Sequence, residues 1–126
     1  MIYDASSLYI LLKKGNLKTL KDVETLDLAF YEVGNSMLKE FRRKLITPES
    51  FEKALNVLSM ISEIVRVRKF GELDAQRVSR VAKDAGLTFY DASYLTLALT
   101  SSETLATNDE LLKRKADGLG VRTVAA

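Results

Sequence analysis

The sequence contains no cysteine and no histidine. Without cysteine there are no disulfides and no thiolate metal sites. The absence of histidine removes imidazole acid–base pairs, serine–histidine–aspartate triads and histidine-ligated zinc. Any catalysis must therefore rest on carboxylates, lysines, hydroxyls or a bound ion. No apolar run approaches the ~18–20 residues of a membrane span, and the best candidate is interrupted by Asp91. The N-terminus, MIYDASSLYILL, has no basic leading segment and places its lysines after the apolar part. A signal peptide has the reverse order, so a cytoplasmic location is expected. Internal repeats, low-complexity segments and interdomain linkers are also missing.

What remains is ordinary globular composition: 126 residues, 47% hydrophobic and 29% charged. That length suits one domain, residues 1–126, with one proper core. The net charge is +2 and the pI about 8.8, short of the roughly pI 9 that marks a nucleic-acid binder. Total charge therefore does not establish a polyanionic partner.

The chain opens as strand, turn and helix, with Met1–Tyr3 followed by Asp4 and the apolar Leu8–Leu12. Gly15 and Asn16 break that helix, and Leu17–Leu20 suggests a helical turn. Val23–Ala29 alternates loosely, as a second strand would. Phe30–Ile46 reads as an amphipathic helix with Val33, Met37, Leu38, Phe41 and Leu45 on the buried face. Glu32, Asn35, Ser36, Lys39 and Arg43 share the opposite face. Thr47 and Pro48 begin the next helix as cap and first residue. Its apolar face (Phe51, Leu55, Leu58 and Ile61, widened by Ala54, Val57 and Met60) exceeds what one core contact needs. Ile64–Val67 reads as a strand, followed by the basic residues Arg66, Arg68 and Lys69. Asp74–Ala85 reads as a helix ended by Gly86. Thr104–Thr107 and Val121–Val124 are further strands around a helix from Asn108 to Lys115. Alternating strands and helices imply an α/β domain with a mainly parallel sheet of four or five strands. In such sheets ligands bind outside the carboxyl ends of the strands.

From Ala92 to Leu99 the sequence is apolar nearly all round the helix, which belongs in an interior. Asp91 stands at its N-terminal edge, and a desolvated carboxylate is costly without a partner. The helix's own amides or a shared cation would satisfy it. Asp4 and Asp109 each follow a strand and precede a helix, and Glu32 is expected in the first turn after the second strand. Each acid alone has a plain structural role as helix cap, dipole complement or solvated charge. Together they place one acid at each of several strand-to-helix crossings, which converge on one sheet edge. Two carboxylates ~4 Å apart repel by roughly 4 kcal/mol at an effective dielectric of ~20. A divalent cation resolves this, and all-oxygen ligation selects Mg²⁺ or Mn²⁺. Such ions support phosphoryl chemistry without histidine.

Four segments carry a family resemblance: MIYDASSL at 1–8, YEVGNSML at 31–38, LTFYDASYLTLAL at 87–99 and TNDELL at 107–112. Together, and in this order, they resemble a PIN domain, and the short chain is similar to VapC-type toxin ribonucleases. The resemblance implies a PIN-like three-layer α/β fold and an acidic metal site of Asp4, Glu32, Asp91 and Asp109. Asp4 and Asp91 would be the principal ligands. Ser6 and Thr107 match hydroxyl positions that orient the carboxylates, and Asn35 matches a polar position one turn beyond the glutamate. The implied activity is Mg²⁺- or Mn²⁺-dependent endonucleolytic hydrolysis of RNA, leaving a 5′-phosphate and a 3′-hydroxyl. The implied partners are a second copy of the chain and a cognate antitoxin that blocks the acidic groove. Lys39 and Arg43, or Arg66, Arg68 and Lys69, are candidates for RNA contact, set against merely solvated charged faces.

Two related architectures fail on residues. A haloacid-dehalogenase-type phosphatase needs a second aspartate where this chain has Ser6. A receiver domain needs an adjacent acid pair near the N-terminus, which is missing. A reading of a different class stays open: a catalytically inactive PIN-like domain that binds metal or protein.

Overall fold

The computed structural model describes residues 1–126. Five short strands are β1 (Ile2–Tyr3), β2 (Glu24–Leu26), β3 (Arg66–Arg68), β4 (Leu105–Ala106) and β5 (Thr123–Val124). Six helices are α1 (Ala5–Lys14), α2 (Leu28–Arg42), α3 (Pro48–Ile64), α4 (Ala75–Ala85), α5 (Phe89–Ser101) and α6 (Glu110–Gly118). The strands form one sheet in the order β3-β2-β1-β4-β5, and every pairing is parallel. The chain runs outward from β1 to β2 and β3, then crosses back to place β4 on the other side of β1. Right-handed crossovers put α1, α2 and α3 on one face and α4, α5 and α6 on the other. The connections diverge between β1 and β4, and the crevice above that point is where an open parallel sheet takes its ligand.

Local chemistry explains most helix boundaries. Asp4, Thr47, Asp74 and Asp109 cap α1, α3, α4 and α6 by accepting backbone N–H bonds. Gly15 and Gly86 end α1 and α4 at φ 67°, a conformation glycine adopts without steric cost. Helix α5 is buried continuously from Ala92 to Ala98 and touches β1, β4, α4 and α6. It is the apolar spine of its layer, and Ile2 of β1, Leu105 of β4 and Leu112 of α6 belong to the same buried core.

Several expected boundaries shift. The second strand is only Glu24–Leu26, because Asp27 caps α2 and the helix begins at Leu28. Glu32 therefore stands in the second turn, not the first. Helix α2 ends at Arg42, so Leu45, expected on the buried face, is 68% exposed beyond it. In α3 only Leu58 and Ile61 of the expected four are buried; Phe51 packs edge-on against Phe41 at 5.1 Å, and Leu55 is exposed. Ile64 belongs to α3, and the following strand starts at Arg66.

The largest local correction concerns α5. Its cap is Thr88, whose hydroxyl accepts from the Asp91 N–H at 3.1 Å. Asp91 is the third helical residue rather than the cap. Thr88→Ala is expected to cost about 1 kcal/mol, measurable as a lower urea midpoint with an unchanged slope.

Candidate active site

Each acid reaches the carboxyl edge of the sheet by its own local device. Asp4 leaves β1 and turns into α1. Its Oδ1 accepts from the Ser6 hydroxyl at 2.7 Å and the Ser7 N–H at 2.9 Å, and its Oδ2 accepts a short hydrogen bond from the Thr107 hydroxyl. Asp4 is only 5% exposed, so these three donors replace the water it has lost. Asp109 leaves β4 and caps α6, accepting from the Leu112 N–H at 2.9 Å. Its own N–H donates to Thr107 Oγ1 at 3.1 Å. Thr107 thus serves both aspartates and ties the end of β1 to the end of β4. Asn108 reinforces the tie: its backbone N–H donates to Ser6 Oγ and its side-chain amide to Ser7 Oγ, both at 3.1 Å.

Glu32 comes from α2 and Asp91 from the first turn of α5. Glu32 Oε1 accepts from the Tyr94 hydroxyl at 2.8 Å. All four acids line one cavity of about 320 Å³, together with Ser6, Tyr9, Asn35, Ser36, Lys39 and Tyr94. Tyr9 is held in the wall by donating to Glu40 Oε2 at 2.7 Å, while Lys13 sits 4.0 Å over its ring and 3.1 Å from Glu40 Oε1. Burial, and then the bond to Glu40, push the Tyr9 phenol's pKa up.

The acids sense one another. Burial is the main cause that raises the Glu32 carboxyl above its ordinary range; the Tyr94 bond opposes it, and the charges of Asp91 and Asp4 add to it. Burial also leads for Asp91, followed by repulsion from Asp109 and Asp4, with the Thr88 hydroxyl acting the other way. None of the four takes part in a salt bridge, although the chain carries a net positive charge. Four carboxylates around one cavity, with Lys39 in the same wall but in no salt bridge to any of them, are a donor set suited to a hard divalent ion. As placed, the side chains ring the cavity rather than close on a point, and no three of them are gathered tightly enough to hold an ion. The oxygen chemistry of the set fits a metal; the spacing of the side chains does not by itself form an ion site.

The other expected residues divide. Ser6 and Thr107 contact Asp4 as anticipated, and Asn35 and Lys39 line the cavity. Arg43 follows the last residue of α2, exposed and outside the cavity wall. Arg66 and Arg68 are not free charges. The β2–β3 register sets Arg66 opposite Glu24, with Arg68 two residues on along the same face. Arg66 pairs with Glu24 at 3.6 Å; Arg68 pairs with Glu24 directly and with Glu72 at 3.5 Å. This cluster secures the nearly buried Glu24 in the sheet, and neither arginine lines the acidic cavity. Lys69 is exposed and also lies outside it. Sequence reasoning missed Asn108 and the hydroxyl of Tyr94. Both had a signal: Asn108 adjoins Asp109, and Tyr94 stands three residues after Asp91, on the same helical face.

No protein-family model matches the chain. Among curated proteins it is similar to Exonuclease VapC9 of Pyrobaculum aerophilum, 35% identical over an alignment 126 positions long that covers 98% of this chain and 91% of the relative. It is also similar to Ribonuclease VapC3 of the same organism, 33% identical over 95 residues, 75% of this chain and 72% of that one. Among solved structures, PAE2754 from Pyrobaculum aerophilum superposes with a TM-score of 0.80 at 33% identity, covering 98% of this chain and 89% of its own. VapBC-1 from nontypeable Haemophilus influenzae superposes at 0.57 with 13% identity, covering 99% and 98% of the two chains, and shares the fold alone. With identity at this level over nearly the full chain, on a five-stranded parallel sheet whose carboxyl edge carries four acids, the chain belongs to the VapC family of PIN-domain proteins.

Proposed function

We propose that the chain is a divalent-metal-dependent endoribonuclease and the toxin of a toxin–antitoxin pair. The observation that carries this reading is the convergence of Asp4, Glu32, Asp91 and Asp109 on one cavity with no salt bridge to any of them. The names printed for the VapC9 and VapC3 relatives support a nuclease. In this reading Asp4 and Asp91 are the principal ligands of Mg²⁺ or Mn²⁺, with Glu32 and Asp109 completing the set. Held by these residues, such an ion would supply an activated water and charge stabilisation at a phosphodiester.

The chain's own residues do the positioning. Thr107 and Ser6 fix Asp4, Thr107 and the first turn of α6 fix Asp109, and Tyr94 holds Glu32. Lys39, Asn35 and Ser36 supply a polar wall with one cation beside the acids, where the strand's flanking phosphates and riboses would lie. Selection of RNA then rests on sugar contacts and groove shape. Exposed apolar side chains, Met60 and Ile64 on α3 and Phe70, Phe89 and Tyr90 near the start of α5, are surface for a second copy and for an antitoxin.

A circular RNA incubated with the protein tests the reading. Linearisation in Mg²⁺ or Mn²⁺, and none in chelator, is expected. Cutting that persists in chelator would remove the metal. Degradation of linear but not circular RNA would make the enzyme an exonuclease, and intact RNA throughout would leave a binding domain. No helix is long and apolar enough to cross a membrane.

A further inference from the structure

Tyr94 lies one helical turn beyond Asp91 on α5 and is 1% exposed. Its buried neighbours on that helix are alanine, leucine, serine and threonine, and its ring is part of the core. A phenylalanine would pack there without obligation. A buried phenol needs a partner, because an unpaired hydroxyl bears the full desolvation penalty. The partner is Glu32 Oε1, 2.8 Å away and 62 residues earlier in the chain. Helices α2 and α5 belong to opposite layers, so this single bond spans the carboxyl edge of the sheet above the acidic cavity. Both side chains line that cavity.

We infer that Tyr94 is a positioning residue of the acidic site, acting through Glu32. A glutamate has three side-chain torsions, and one exposed in a cavity samples many of them. The Tyr94 hydroxyl ties Oε1, so the carboxylate is held at the cavity and Oε2 stays free of protein partners. Fixing a ligand before the cation arrives removes ordering cost from the binding step. Groups that hydrogen-bond a metal ligand in this way typically contribute 10–100-fold to metal affinity. The inference rests on the metal-binding reading above and adds a residue to it.

Tyr94→Phe deletes one oxygen and keeps the ring. Calorimetric titration with Mn²⁺ of the full chain, as wild type, Tyr94→Phe, Glu32→Gln and the double variant, tests the role. Tyr94→Phe is expected to weaken Mn²⁺ binding by about 10–100-fold while the circular dichroism stays native. In the Glu32→Gln background it is expected to change Mn²⁺ affinity by less than about twofold, since the charged ligand it positions is gone even though the amide oxygen can still accept the tyrosine's hydrogen bond. Unchanged Mn²⁺ affinity in Tyr94→Phe, with only a lower melting temperature, would reduce Tyr94 to a structural residue and overturn the inference alone. An equal loss in both backgrounds would overturn it too. A wild-type chain that binds no Mn²⁺ would overturn the metal reading and this inference with it.

Discussion

Asp91→Asn is expected to lower RNA cleavage by about 10³-fold, the scale of losing one group that stabilises charge at a reacting centre, and to leave the fold intact. It is also expected to make the metal-free protein more stable. The two effects share one cause. Asp91 is half-buried among Asp4, Asp109 and Glu32, and both burial and neighbouring charge disfavour its ionised form. Its backbone N–H, not its carboxylate, makes the capping bond to Thr88. Replacing the carboxylate by an amide therefore removes repulsion and keeps the cap, and the amide oxygen remains an acceptor for the Thr88 hydroxyl that favours the charged form. Because the site is partly solvated and screened, the gain should be modest, a rise of a few degrees in Tm where each kcal/mol shifts a domain of this length by about 4 °C.

The pH dependence follows from the same displacement. In the unfolded chain Glu32 and Asp91 ionise in the ordinary carboxylate range, and in the native protein they ionise above it. Their contribution to stability is thus complete below the unfolded values and is lost as pH rises through the native ones. These two acids should lower the melting temperature of metal-free wild type as pH climbs through that window, against the opposite pull of Glu40, whose carboxyl the Tyr9 hydroxyl and Lys13 hold low, and Asp91→Asn should shrink the declining part. Mn²⁺ should reverse it in wild type, because a ligand of the native state stabilises that state. Melting curves with and without Mn²⁺ across the acid range decide the matter.

What the sequence disclosed and what it withheld follow from the range of the interactions. Caps, a proline after Thr47 and glycines after α1 and α4 act within one turn, so most helix ends could be read from neighbouring residues. Asp4 and Asp109 were readable because a cap between strand and helix fixes a position on the sheet edge, whatever lies elsewhere. The strands are two or three residues long, too short for alternation to mark them, and their boundaries slipped accordingly. Glu32 was displaced by one turn because Asp27, a residue with no apparent role in the sequence, starts the helix. The ion pairs of the arginines depended on register: only pairing β2 with β3 brings Arg66 and Arg68 to Glu24. Tyr94 to Glu32 is likewise a tertiary contact, between layers. Side chains defined by their own helix were readable from their neighbours, whereas of those defined by a distant partner only Thr107 was legible, through the family resemblance.

Asp4→Ala should be the most damaging change to the site, abolishing cleavage and costing the fold about 3 kcal/mol. Loss of activity is common to Asp4 and Asp91; the sign of the stability change separates them. Asp4 is almost fully buried and is the acceptor for Ser6, Ser7 and Thr107. Alanine strands these donors, and a bond to a charged group contributes about 1.5–3 kcal/mol, with the lost α1 cap adding about 1. The terms overlap, so their simple sum overstates the effect. Thr107 also holds the Asp109 N–H, and Asn108 bonds Ser6 and Ser7. The damage should therefore spread along the β1–β4 seam, with faster amide exchange at Ser7 and Asp109 before global unfolding. Asp4→Asn keeps the shape and one acceptor oxygen, so it should recover much of the stability and none of the cleavage. If Asp4→Ala instead melted as high as metal-free Asp91→Asn, the carboxylate would be one more repelled charge, and the seam would hold without it.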